Sequence, residues 1–125
     1  MNVKIDTKEK FVVIAPLDPD LTANMTEELT DMLLNYLQKD IPHLVLKMSA
    51  VEKIDETACE KLAAVQQKFY EENYSFVICE LQEAVEKKFD ELEILEILNV
   101  TPTESEAWDI VQMEEIEREL LGGED

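Results

Sequence analysis

Leu44-Val45-Leu46-Lys47-Met48-Ser49-Ala50-Val51-Glu52-Lys53-Ile54-Asp55-Glu56-Thr57-Ala58 is the stretch on which the fold turns. Its first five residues are mostly apolar, as expected of an interior strand covered on both faces. The spacing predicts a loop over Ser49 to Ile54. A helix is then expected from about Asp55 to Glu72, where Ala58, Leu62, Val65 and Phe69 recur at steps of four, three and four along one helical face. A strand that runs straight into a helix is half of an α/β unit.

The same alternation extends in both directions. Upstream, Val3-Lys4-Ile5 alternates and Phe11 to Ala15 is continuously apolar, so a hairpin is the simplest reading. Pro16 and Pro19 break the pattern, and Pro16 to Asp20 reads as a loop. A helix follows from about Thr22 or Asn24 to Gln38, with Asn24 and Glu27 resembling an N-terminal cap. Downstream, Ser75 to Cys79 is a short apolar strand, and Gln82 to Leu92 a third helix. An edge strand is expected near Leu98-Asn99-Val100, and a last helix from Thr103. Trp108, Ile110, Val111, Met113, Ile116 and Leu120 are expected to form the apolar side of that helix. Strands alternating with helices imply parallel pairing through right-handed crossovers. The expected fold is α/β: one domain over residues 1–120, a mixed sheet of four or five strands with about four helices, and an acidic tail over 121–125.

Composition removes several functions. The 125 residues hold 30 Asp or Glu against 11 Lys or Arg, a formal charge of −19, with 46% apolar residues, enough for a real core. Residues 51–125 carry 22 of the acids and only 6 bases. Such a field repels nucleic acid and anionic membranes. The only two glycines, Gly122 and Gly123, stand at the C-terminus, so no glycine-rich phosphate loop exists. A single histidine, His43, rules out a multi-histidine zinc site. It reads as a surface or edge residue, and Trp108 as core or a cover over the sheet edge. The pairs Glu71-Glu72 and Glu114-Glu115 read as solvated. No apolar run approaches the roughly 20 residues that span a bilayer, and Met1 to Asp6 lacks a signal-peptide pattern. Cys59 and Cys79 sit in apolar patterns far apart, which favours buried free thiols and a cytoplasmic location.

In open α/β sheets, partners and ligands meet the loops beyond the carboxyl ends of the strands. Two such loops stand out, Leu17 to Asn24 and Ser49 to Thr57. Asp55 is placed to cap the helix that follows it. Glu56 falls in its first turn, where a negative charge meets the positive end of the macrodipole, and Thr57 adds a hydroxyl. Locally, these three residues need do no more than start a helix.

The order of elements gives them a second meaning. Val12 to Asp18, Leu44 to Ser49 and Ala50 to Ala58 together resemble the STAS domain, a family that includes bacterial anti-sigma factor antagonists and the cytoplasmic tails of sulfate transporters. Its members carry an L-x-x-V-x-x-I-D-S-[ST]-G type turn, matched here by Val51 to Ala58. Phe76 to Cys79, Leu81 with Val85, and Thr101 to Ala107 resemble the family's later strand, helix and final helix start. The resemblance implies a non-enzymatic regulator without catalytic residues, metal or cofactor, which binds an anti-sigma factor or serine-kinase-like protein. In the family's antagonists the serine after the aspartate is phosphorylated. By position the acceptor falls on Glu56, with Thr57 beside it as an alternative hydroxyl. The implied partner-binding set is Asp55, Glu56, Thr57 and Ala58, with Asp18 or Asp20 from the first loop. Glu56 is no phosphoacceptor, and its one negative charge compares with about −1.5 to −2 for a phosphoserine. Ala58 stands where the family has glycine.

Two other functions are compatible with the same residues. One is a sensing module for a small molecule or nucleotide, which the local acids oppose unless a cation bridges. The other is a metal-dependent enzyme using Asp18, Asp20, Asp55 and Glu56. The oligomeric state is left open by the sequence.

Overall fold

The computed structural model describes residues 1–122 of the chain. A five-stranded mixed sheet forms the centre, in the order β1 (Val3–Thr7), β2 (Val12–Pro16), β4 (Leu44–Lys47), β6 (Phe76–Cys79), β7 (Val100–Thr101). The β1–β2 hairpin is antiparallel, with Ile5 opposite Ile14, and every other neighbour is parallel. Helices α1 (Ala23–Asn35), α2 (Glu56–Glu71), α3 (Glu83–Glu91) and α4 (Glu104–Gly122) make the connections and the closing element. This is the expected mixed sheet with four helices.

The apolar runs of the inner strands are continuous because both faces are covered. Val12, Ile14, Leu44, Leu46, Phe76 and Ile78 point to one side, where Leu29 and Leu33 of α1, Leu62, Val65 and Phe69 of α2, and Val85 and Phe89 of α3 bury them. The alternate residues Val13, Val45, Val77 and Cys79 point to the other side and meet Phe11, with Ala107 and Val111 of α4. The period-two side-chain alternation of a strand thus splits each run between two cores.

The structure departs from the expectations in several places. Lys53–Ile54, expected within a loop, is a short strand β5 that pairs in parallel with β3 (Asp20–Leu21). Two-residue ladders carry no periodicity, so the sequence gives no sign of them. The cap of α1 is Thr22, whose hydroxyl accepts from the Met25 amide, and not Asn24, which is already helical. The edge strand lies at Val100–Thr101, after a single tight turn over Leu95–Ile97. α4 continues through Leu121 and Gly122, into the stretch expected as a tail, and 123–125 lie outside the described residues.

α4 is also fastened by polar contacts, at the amino ends of β4 and β6. His43, expected at the surface, is buried: Nδ1 accepts from the Ser75 amide at 3.0 Å, and Nε2 lies 3.4 Å from Glu115. Ser75 Oγ donates to Glu114 at 2.6 Å and accepts from Arg118 at 2.8 Å. Asn99 Nδ2 donates to the other Glu114 oxygen, and Lys10 reaches Glu115 at 3.3 Å. Glu114 and Glu115 therefore tie the helix to the sheet edge and are half-buried. The expected solvated pair is corrected by a requirement that pattern does not show: the Ser75 hydroxyl and the Asn99 amide in that corner need acceptors, and Glu114 serves both. Trp108 is 41% exposed and covers Phe11, with ring centroids 6.4 Å apart.

Candidate functional site

The site is built on the β3–β5 ladder. Register places Asp20 beside Lys53 and Leu21 beside Ile54, so the chain enters α1 and α2 from two adjacent parallel strands. Buried Leu21 and Ile54 hold this ladder on the main core. The amides of Glu52 and Lys53 both donate to the Pro19 carbonyl, at 2.7 and 3.0 Å, locking the two loops together. Gln82 Nε2 donates to the Ser49 carbonyl at 2.7 Å and fixes the other end of the second loop to the start of α3.

Asp55 closes the arrangement. Its Oδ1 accepts from the Ala58 amide at 2.7 Å, the N-cap bond of α2 expected from the sequence. Its Oδ2 accepts from the Ala23 amide at 2.9 Å, the first amide of α1. One carboxylate thus serves two helix starts, and the positive ends of both helices converge on it. Sequence reasoning missed Ala23, because the contact depends on the β3–β5 pairing that aligns the two helix entries.

Glu56 and Thr57 follow in the first turn of α2, and Asp55, Glu56 and Thr57 are all exposed. Ala58 is buried, where a small residue lets the helix start sit close to the core. The two first-loop acids divide. Asp18 is half-buried and turned to the amino terminus, accepting from the Asn2 amide at 2.9 Å. Asp20 is exposed in β3, on the ladder that leads to Asp55. The structure therefore gathers Asp20, Asp55, Glu56 and Thr57 on one rim, the carboxyl end of the sheet, and leaves Asp18 bound to the hairpin. Among the described residues, no group of three or more His, Cys, Asp or Glu side chains is arranged to hold a metal ion. Asp55 spends both oxygens on backbone amides, so the rim is a surface with exposed charge and a hydroxyl, not an enclosed chamber.

The two thiols are buried and free. Burial pushes Cys59 up to about 11 and Cys79 up to about 12, so neither is a nucleophile at neutral pH. No helix of the described residues is long and apolar enough to cross a membrane.

Comparison with known proteins bears on this rim. Solved structures of similar fold include an anti-sigma factor antagonist from Mycobacterium paratuberculosis, 18% identical, with a TM-score of 0.77 over 89% of this chain and 93% of that one. RsbS from Moorella thermoacetica, in a variant with serine changed to glutamate, is 20% identical, with a TM-score of 0.74 over 90% of this chain and 96% of that one. The Bacillus cell fate determinant SpoIIAA in its phosphorylated form is 13% identical, with a TM-score of 0.65 over 88% of this chain and 99% of that one. At these identities the likeness is one of fold. Curated proteins give no match. The model of the STAS domain matches residues 2–107, which spans every strand and the start of α4, and the chain belongs to the STAS domain family.

Proposed function

We propose that this protein is a non-enzymatic regulatory module that binds an anti-sigma factor or serine-kinase-like protein in the cytoplasm through the rim at the start of α2. The observation that carries the reading is the exposed run Asp55-Glu56-Thr57 at the amino end of α2, on the carboxyl edge of the sheet. Asp20 extends the contact surface from the neighbouring strand. Glu56 takes the place of the family's phosphorylatable serine and supplies a permanent single charge there, part of what a phosphoserine carries. The module is therefore insensitive to the phosphorylation that switches its relatives. The carboxylate-enzyme alternative gains no support, because Asp18 faces the Asn2 amide while both Asp55 oxygens cap helices.

The test is affinity purification of the tagged full chain from its own cells, followed by titration of the recovered partner against Glu56→Lys and Thr57→Glu. Both positions are exposed, so the fold is retained. Loss of binding by about tenfold or more in either variant is expected, at the scale of an interface hot spot. Unchanged binding in both overturns the reading. In the presence of ATP and the recovered kinase, mass spectrometry should find no phosphate on this rim in the native chain and phosphate at position 56 in Glu56→Ser. Strong incorporation at Thr57 of the native chain contradicts the claim of insensitivity.

A further inference from the structure

α4 is apolar on two sides. Ala107 and Val111 are buried against the sheet, and Glu114 and Arg118 continue that inner line through their bonds to Ser75. On the opposite side Met113, Ile116 and Leu120 are 54%, 56% and 70% exposed. Steps of three and four residues put them in one stripe. Asp109 continues the stripe toward the amino end, while Glu117 and Glu119 border it, all three exposed. The core does not need this stripe, since a surface helix normally turns polar residues outward. The helix also outruns its support. Its 19 residues extend about 28 Å, against about 13 Å for the four-residue strands β4 and β6 beneath it.

We propose that this outer stripe is a docking surface for a basic amphipathic helix of a partner protein. Leu, Ile or Met at i, i+3 or i+4, and i+7 of that helix would lie on Met113, Ile116 and Leu120, and Lys or Arg at its margins would meet Asp109, Glu117 and Glu119. Charge selects this occupant. Glu104–Gly122 holds seven Asp or Glu and one Arg. A second copy of the chain brings the same seven acids and a net charge of −19, and an anionic bilayer brings phosphates, so both are repelled. A purely apolar partner would bury the bordering carboxylates without counter-charges. The inference uses α4 alone and stands or falls separately from the role given to the start of α2.

The experiment titrates the full chain into a fluorescently labelled 18-residue synthetic helix with Leu and Ile on one face and Lys and Arg on its flanks. A scrambled peptide of the same composition and an acidic peptide with the same apolar face are the controls. Binding of the basic amphipathic peptide is expected to exceed that of both controls by about tenfold or more. It should fall by a similar factor in Met113→Ser/Ile116→Ser/Leu120→Ser and be unchanged in Glu56→Lys. The three side chains point to solvent, so the triple variant keeps its fold, and an unchanged melting profile checks this. Equal binding of the scrambled peptide shows charge attraction alone and overturns the proposal. Unchanged binding by the triple variant overturns it as well. A dimer in sedimentation that the triple variant abolishes assigns the stripe to a second copy. Stripe-dependent binding to phosphatidylcholine or phosphatidylglycerol vesicles assigns it to a membrane. Either result replaces the proposal.

Discussion

The carboxylate of Asp55 accepts the Ala23 amide at 2.9 Å, 32 positions earlier in the chain, while its other oxygen caps α2 through Ala58. The first residue of the proposed contact site therefore ties together the starts of two helices. The first member of the rim is engaged through both oxygens with backbone, and the exposed Glu56 and Thr57 follow it in the first turn of α2.

Asp55→Ala removes both bonds and should lower stability by about 2–3 kcal/mol, two caps at roughly 1 kcal/mol each plus the loss of a favourable charge at two helix starts. Asp55→Asn keeps one carbonyl oxygen for one amide but loses the charge and presents an amide group to the other, so it should cost less than Asp55→Ala but more than half as much. Urea denaturation of the three proteins checks the order. Equal stability of Asp55→Ala and the native chain would contradict the double cap.

His43 gives a pH dependence of defined sign. Burial, with the Arg118 guanidinium nearby, holds its pKa below the usual histidine value of 6.5, against a smaller opposite pull from Glu115 and Glu114. The unfolded chain therefore takes up the proton first. The stabilisation tied to the neutral ring is complete above pH 6.5 and is lost as pH falls through the lower folded value. Melting temperature should decline between pH 7.5 and pH 5.5. His43→Asn, whose carbonyl can still accept from the Ser75 amide, should show a flatter profile over that interval.

Cys59 and Cys79 should resist alkylation. With thiols pushed up to about 11 and about 12 in a closed interior, iodoacetamide at pH 8 should leave the native protein unmodified and label both residues in 6 M guanidinium. Intact-mass measurement reads the result. Rapid single labelling of the native state would show that one thiol reaches the surface.

Glu93, one residue beyond the Leu92 cap of α3, occupies left-handed backbone at φ 59°, and its side chain is exposed. Glu93→Gly relieves the steric cost of that conformation and should stabilise the fold by about 0.5–1 kcal/mol. Asn73, at φ 64° after α2, already tolerates this region, and Asn73→Gly should change stability by less. Thermal melts of the two variants compare them.

Much of the fold is legible in the sequence because the inner strands are buried on both sides. Val12 to Ala15, Leu44 to Leu46 and Phe76 to Cys79 stand out as runs, and the face of α2 shows in Ala58, Leu62, Val65 and Phe69. Asp55 could be read as a cap because that chemistry is local to four residues. Its second bond could not, because it depends on a two-residue ladder between segments over thirty positions apart. α4 misleads for a different reason. Its apolar residues suggest one inward face, but only Ala107 and Val111 are fully buried, and the remaining anchoring comes from Glu114, Glu115 and Arg118. A glutamate used as an internal acceptor looks the same in sequence as one facing water.

The five-stranded sheet stands between α2 and α4, and each helix packs on its own face of it. A body resting on one helix is screened from a body resting on the other by the full thickness of the domain. The start of α2 and the outer stripe of α4 therefore lie on opposite sides of the sheet, and a molecule bound at one proposed surface would leave the other open.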